Sequence, residues 1–150
     1  MPLIAVDAMG GDKIPLVPIQ GAFRALENNP DLELILVGPE DQVLPAVDSC
    51  GGLNDRLRFE HTPEWVSMEE SPVEALRNKP NSSLSRIVQM QKDRTVEGIF
   101  SAGNTGAFVA ACSIQLRMLE GVRRPAIALP MPRGETPVIL CDGGANVESR

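Results

Sequence analysis

The sequence SAGNTG at positions 101–106 separates a short apolar stretch from a run of residues typical of a helix. The first backbone N–H groups of a helix lack carbonyl partners. Small residues at that point leave those groups accessible, so an anion can bind there. The candidate residues of this turn are Ser101 and Asn104 for catalysis, and Gly103, Thr105 and Gly106 for binding the anion.

Two more predicted strands end in glycine-rich polar loops, DAMGGD at 7–12 and DGGAN at 142–146. In open α/β sheets, ligands bind beyond the carboxyl ends of the strands. Each loop taken alone is also compatible with a tight turn in which Asp or Asn caps the next helix. The candidate residues are Asp7, Gly10, Gly11, Asp12 and Asp142 for substrate binding, and Asn146 as a catalytic donor.

A second anion site is predicted where Arg77 and Lys79 precede a helix that Ser82 or Ser83 can cap. Two cations and the positive end of a helix dipole favour the same negative ligand. The alternative, a solvated basic turn without a ligand, stays open on these residues alone.

The common catalytic and nucleotide-binding motifs are missing from the sequence, which has no GxGxxG, GxxxxGK[ST], GxSxG or HExxH. Its single histidine, His61, lies in a polar Thr-Pro-Glu context, where a catalytic role is the weaker alternative. With one histidine, a histidine-based metal site is not expected. We expect neither a metal ion nor a cofactor.

Composition restricts the class of protein further. The 14 basic and 20 acidic residues give a net charge of −6, which argues against general nucleic-acid binding. The three cysteines form no CxxC pair, a pattern typical of a reducing cytoplasm. No apolar run approaches the roughly 20 residues that a membrane span needs. We expect a cytoplasmic protein.

Strands and helices alternate along the chain, a pattern that favours an α/β fold with a mainly parallel sheet. Val138–Cys141 is expected in the same sheet as Gly98–Ser101, and the glycine loop after it should lead into another helix. We therefore expect residues 1–150 to form a single α/β domain that is part of a longer chain. The predicted strands are 2–6, 32–37, 57–60, 98–101, 126–129 and 138–140, and the predicted helices are 16–26, 41–47, 72–77, one from Ser82 or Ser83, and one from about Thr105 to Gly121.

Several of these segments together resemble the phosphate acyltransferases of bacterial phospholipid synthesis, also called fatty acid/phospholipid synthesis proteins. The resemblance covers essentially the whole chain, and DAMGGD with SAGNTGA is a specific pair of motifs. The sequence departs from the family pattern at Cys141-Asp142-Gly143, where Asp-Val-Gly is usual, and at Asn81, where Asp is usual. The matching segments are 6–12, 68–72, 75–79, 82–83, 101–107, 124–126 and 144–147.

The resemblance implies transfer of a long acyl chain from acyl carrier protein to inorganic phosphate, which gives acyl phosphate. It also implies a three-layer α/β/α fold like that of phosphotransacetylases and isopropylmalate dehydrogenases, a homodimer, and peripheral association with the inner face of the membrane. Because members of the family are considerably longer, the resemblance further implies that residues 1–150 are the N-terminal part of a longer enzyme. An acyl-coenzyme A donor and a non-catalytic binding fragment remain alternatives. A covalent acyl-serine on Ser101 is a lower-ranked route.

Overall fold

The computed structural model describes residues 1–122, 125–134 and 136–141, and its chain divides into two compact units, Met1–Arg117 and Met118–Arg150. Strands and helices alternate through the first unit. The elements in chain order are β1 (Leu3–Asp7), α1 (Leu16–Asn28), β2 (Glu33–Gly38), α2 (Glu40–Cys50), β3 (Leu57–His61), α3 (Pro72–Asn78), α4 (Ser83–Lys92), β4 (Gly98–Phe100), α5 (Thr105–Gln115), β5 (Ala128–Met131) and β6 (Val138–Cys141).

The first unit contains a four-stranded sheet in the order β3-β2-β1-β4, with every neighbouring pair parallel. Its central strands are apolar and buried, as parallel strands covered on both faces should be. In the register of β1 with β4, Val6 lies opposite Phe100. The residues that follow these two, Asp7 at the end of β1 and Ser101 just after β4, therefore lie at neighbouring positions.

Alternate residues of the central strands point to opposite faces, and each face has its own core. Ala5 and Ile35 pack with buried residues of α3, α4 and α5. Val6 and Leu36 pack on the other face against α1 and α2. The first unit thus has the three-layer α/β/α arrangement with a mainly parallel sheet that the sequence predicts.

The carboxyl end of α1 is stabilised by a residue distant in sequence. The last turn of α1 has no basic residue of its own, although cations are favoured there by the helix dipole. Arg56 supplies the charge, because its Nη1 donates to the carbonyl oxygens of Leu26, Asn29 and Pro30 at 3.0, 3.1 and 3.3 Å. This guanidinium joins α1 to the chain just before β3.

Two predictions about the C-terminal part are wrong. Helix α5 ends at Gln115 rather than near Gly121, because Arg117 adopts a left-handed backbone with φ 67° that a helix cannot continue through. Strand β6 pairs antiparallel with β5 in a separate two-stranded sheet and does not join the sheet of β4. Every residue of these two strands is exposed.

Among the residues that the structure describes, no helix combines the length and the apolar character needed to cross a bilayer.

Candidate functional site

The chain order of the parallel sheet makes the crevice between β1 and β4 the candidate ligand site. From β1 the chain adds β2 and then β3 on one side, and it then returns to add β4 on the other side of β1. Such a reversal leaves a crevice beyond the carboxyl ends of the two strands, where ligands of open α/β sheets bind. The loops DAMGGD and SAGNTG begin at these two strand ends, so the structure brings the first two predicted loops together.

A chain of hydrogen bonds joins the two loops. Ser101 Oγ donates to Asp7 Oδ2 at 2.8 Å and accepts the N–H of Gly103 at 3.1 Å. The other carboxylate oxygen, Oδ1, accepts the N–H of Met9 at 3.0 Å. Asp7 therefore holds its own turn and, through Ser101, the turn after β4.

The close approach of the two loops requires glycine at Gly10 and favours it at Gly103. A Cβ on Gly10 would lie 2.7 Å from Ser101 Oγ and 2.8 Å from the backbone nitrogen of Gly103. A Cβ on Gly103 would lie 3.1 Å from the Cα of Gly10. Gly11, with φ 121°, adopts a backbone conformation that side chains disfavour. The glycines of both loops thus have a steric reason to be glycine.

Asp7 is an unusual carboxyl group because it is only 3% exposed. Burial raises its pKa, and hydrogen bonding by Ser83, Ser101 and the Met9 N–H opposes that rise. Ser83 is itself fully buried at the start of α4. Hydroxyls from two elements, Ser101 after β4 and Ser83 on α4, thus oppose the effect of burial on the Asp7 carboxyl group.

Asn104 is the N-cap of α5 and also a tether. Its Oδ1 accepts the N–H of Ala107 at 3.0 Å, as an N-cap side chain does. Its Nδ2 donates to the carbonyl oxygen of Glu70 at 3.0 Å, and to those of Ser67 and Met68 at 3.4 Å. Both ends of this amide are engaged by the protein, so the geometry supports a positioning role for Asn104.

The start of α5 presents two backbone N–H groups and one hydroxyl to solvent. Thr105 and Gly106 are the first two residues of the helix, and both are exposed. Their N–H groups lie before the first intrahelical hydrogen bonds. Because Gly103 donates to Ser101 and Ala107 to Asn104, the donors open to an anion are those of Thr105 and Gly106 with the Thr105 hydroxyl. A Cβ on Gly106 would lie 2.8 Å from Pro72, the first residue of α3, so α3 packs closely against the start of α5.

The residues of the second predicted anion site have different surroundings. Lys79 Nζ donates to Glu70 Oε1 at 2.7 Å and to the Trp65 carbonyl at 3.0 Å. This contact lowers the pKa of Glu70. Ser82 is the N-cap of α4, as predicted, but it is fully buried. Arg77 is exposed on α3, and its part in binding a ligand stays a prediction.

The contacts of Glu70 were not anticipated from the sequence, although they organise this region. Its carboxylate accepts the Ser67 N–H at 2.8 Å as well as Lys79, and its carbonyl receives Asn104. A glutamate two residues before a proline-started helix is the only sequence signal for this role, and it is too common to be specific.

His61 joins the end of β3 to the start of α2 through a hydrogen bond. Its Nδ1 accepts the N–H of Glu40 at 3.2 Å, at the start of α2. The imidazole also borders a cleft of about 410 Å³ between the end of β3 and α4, in which Arg86 is paired with Glu60. The lining residues of the cleft are His61, Thr62, Pro63, Pro80, Asn81, Ser85, Arg86, Gln89 and Gln115.

For three residues of the predicted site, Asp12, Asp142 and Asn146, a role in binding or catalysis stays a prediction. Asp142 and Asn146 lie outside the described residues, so the third glycine loop is a prediction only. Asp12 is exposed at the end of the first loop, and a substrate contact for it also stays a prediction.

The chain is similar to known proteins over nearly its whole length. Residues 3–150 match the family described as fatty acid synthesis protein. A phosphate acyltransferase of Clostridium perfringens (strain SM101 / Type A) is 39% identical over 147 residues, which is 98% of this chain and 43% of the relative. The phosphate acyltransferases of Shewanella amazonensis and of Legionella pneumophila (strain Paris) are each 43% identical over 97% of this chain and 43% of their own length.

The chain thus spans less than half the length of these curated relatives. The family match nevertheless includes both strand-end loops that build the crevice between β1 and β4. The chain belongs to the fatty acid synthesis protein family.

Proposed function

We propose that the intact protein transfers a long acyl chain from acyl carrier protein to inorganic phosphate. A phosphate oxygen attacks the thioester carbonyl, a C–O bond forms, the C–S bond breaks, and acyl phosphate and the carrier thiol are released. The names of the relatives support the acyltransferase class. The observation that carries the proposal is the open start of α5 at the crevice, next to the hydrogen-bonded pair Asp7 and Ser101.

The phosphate site consists of the N–H groups of Thr105 and Gly106, the Thr105 hydroxyl and the Ser101 hydroxyl. Thr105 and Gly106 are exposed and begin α5, so the helix dipole favours an anion there. Gly10 and Gly103 contribute through the close packing of the two loops, and Gly11 contributes through its backbone conformation with φ 121°. Asn104 orients the helix start without contacting the anion.

The chemistry requires little proton transfer. Phosphate is already an anionic nucleophile, and a thiol with a pKa of about 8.5 leaves readily as thiolate. The reaction instead needs two reactants held in line and donors for the oxyanion that develops on the thioester. Asn146 and the loop at Asp142 are proposed for that second task, on sequence alone. Ser101, whose hydroxyl donates to Asp7 at 2.8 Å, is proposed to bind phosphate, and a covalent acyl-serine on it stays the lower-ranked route.

Partners follow from the same proposal. The exposed Arg77 is proposed to contact the acidic carrier or its phosphate-bearing arm. A homodimer is proposed because Phe100 on the edge strand β4 and Ile114 on α5 are 54% and 67% exposed, and such apolar side chains favour a covering partner. A cytoplasmic location with peripheral attachment to the inner face of the membrane completes the proposal.

The test is an assay of the intact protein with acyl-acyl carrier protein and phosphate. Thiol release should depend on phosphate, and hydroxylamine should trap the acyl product as a hydroxamate. Thr105→Val should raise the KM for phosphate, whereas Ser113→Ala, on the same helix, should leave it unchanged. Thiol release that is independent of phosphate would refute the proposal. If acyl-coenzyme A supported the same rate as acyl-acyl carrier protein, acyl carrier protein would not be the specific donor.

A further inference from the structure

The carbonyl oxygens that hold the side chain of Asn104 all belong to one loop, residues 65–70. Asn104 Nδ2 donates to the carbonyl oxygens of Ser67, Met68 and Glu70, at 3.4, 3.4 and 3.0 Å. Three carbonyls converge on one amide only while the loop that carries them keeps its fold. The orientation of the start of α5 therefore depends on what fixes this loop.

The side chains of Glu70 and Lys79 close the 65–70 loop. Glu70 Oε1 accepts the N–H of Ser67 at 2.8 Å and a hydrogen bond from Lys79 Nζ at 2.7 Å. Lys79 Nζ also donates to the carbonyl oxygen of Trp65 at 3.0 Å, so one ammonium group binds both ends of the loop. Because Lys79 is the C-cap of α3, it joins the loop that precedes this helix to the helix's own end. The two side chains are 35% and 29% exposed, so solvent screens the ion pair only in part.

We propose that Lys79 and Glu70 are positioning residues for phosphate, which act through Asn104 and contact no substrate. The ion pair holds the loop, the loop carbonyls hold the Asn104 amide, and Asn104 caps α5. The exposed N–H groups of Thr105 and Gly106 are thereby oriented before an anion arrives, so binding requires little further ordering. This inference rests on the proposed phosphate site at the start of α5. It gives the Lys79 ammonium a different role from the direct anion contact that its charge suggests.

The test is the KM for phosphate of the intact protein, measured together with its KM for acyl carrier protein. Lys79→Met keeps the aliphatic part of the side chain and loses both hydrogen bonds. It should raise the KM for phosphate about three- to tenfold, the scale of the bonds of one partly exposed charge, and leave the KM for the carrier unchanged. Lys79→Arg should recover most of the loss. Arg58→Met is the matched control, because Arg58 forms an ion pair of the same 2.7 Å length with Glu33 on β2, and it should change neither constant.

A double-mutant cycle separates an effect through Asn104 from a general structural effect. Asn104→Ser keeps the cap and removes the contacts with the loop, so adding Lys79→Met to it should raise the KM for phosphate no further. Glu70→Ala keeps the backbone carbonyl that Asn104 binds, and it should nevertheless reproduce the effect of Lys79→Met.

Losses that multiply in the double variant would overturn the inference, as would an unchanged KM for phosphate in Lys79→Met. A rise in the KM for the carrier alone would make Lys79 a carrier contact and would overturn it too. A wild type whose thiol release does not depend on phosphate would instead refute the proposed function.

Discussion

Replacing Gly10 with Ala perturbs the site directly, since a Cβ there would lie 2.7 Å from Ser101 Oγ, 2.8 Å from the Gly103 nitrogen and 3.0 Å from the Ala102 nitrogen. Ordinary contacts of a Cβ begin at 3.4 Å, so the nearest atom must retreat by about 0.7 Å, the difference between 3.4 and 2.7 Å. Two of the three atoms are backbone, so the whole turn before α5 must move.

The expected result is a large loss of turnover with a moderate loss of stability. Displacement of a reacting group by about 1 Å can cost about a hundredfold in rate, so a fall of about 10- to 100-fold is expected for this smaller shift. Over-packing should lower the free energy of unfolding by about 1–3 kcal/mol. The assays are steady-state turnover of the intact protein and chemical denaturation.

Gly21→Ala is the matched control. Gly21 lies inside α1, and a Cβ there would meet nothing within 4 Å. Alanine should stabilise that helix by about 0.5–1 kcal/mol and leave turnover unchanged. If Gly10→Ala retained turnover within twofold of the wild type, the packed loops would not be the site of the reaction, and the reasoning would be refuted.

The remaining predictions concern charge, capping and partner contacts. Burial raises the pKa of Asp7, so the folded protein holds the carboxyl proton more tightly than the unfolded chain does. The free energy of unfolding of the wild type should therefore fall, relative to that of Asp7→Asn, as pH rises from the ordinary carboxyl pKa of 3.8 through the raised pKa of the folded state. Arg56→Ala should lower the free energy of unfolding by about 1.5 kcal/mol, the lower end for hydrogen bonds of a charged group, while Arg56→Lys should lose less. Asn104→Ala should lower both turnover and stability, the latter by about 1 kcal/mol for the cap alone; Asn104→Ser should restore the cap but not the tether to residues 67–70. Arg77→Glu should raise KM for acyl carrier protein without changing KM for phosphate.

Each of these has an outcome that would contradict it. Parallel pH–stability curves for the wild type and Asp7→Asn would mean that Asp7 titrates as a solvated carboxyl group does. Equal denaturation midpoints for Arg56→Ala and Arg56→Lys would mean that the charge and the carbonyl contacts of residue 56 do not stabilise the fold. If Asn104→Ser had full turnover, capping alone would account for Asn104. An unchanged KM for the carrier would assign Arg77 to the solvated surface.

The sequence predicts the sheet and its helices well because local signals agree with the fold there. Short apolar runs closed by glycine become β1 and β2, and the small polar turn before α5 gives its N-cap. Periodicity could not predict the end of α5, since its apolar residues continue past Gln115 while the backbone at Arg117 turns left-handed. The pairing of β5 with β6 was missed because short apolar strands carry no signal for direction.

The site was only partly predictable, because composition shows which residues are polar but not which are already paired. Two cations near a helix start predict an anion site, yet Lys79 is held by Glu70, 9 positions away. Likewise, Asn104 is predicted as a donor, but its amide is engaged by the loop before α3. The bond between Asp7 and Ser101 joins residues 94 positions apart and depends on the strand order, which no local pattern contains.

The central claim is that phosphate binds at the start of α5, and amide NMR of the intact protein during a phosphate titration tests it most directly. The account predicts that the N–H signals of Thr105 and Gly106 shift most and saturate together, with smaller shifts at Gly103. Saturable shifts centred on other residues, with Thr105 and Gly106 unmoved, would contradict it.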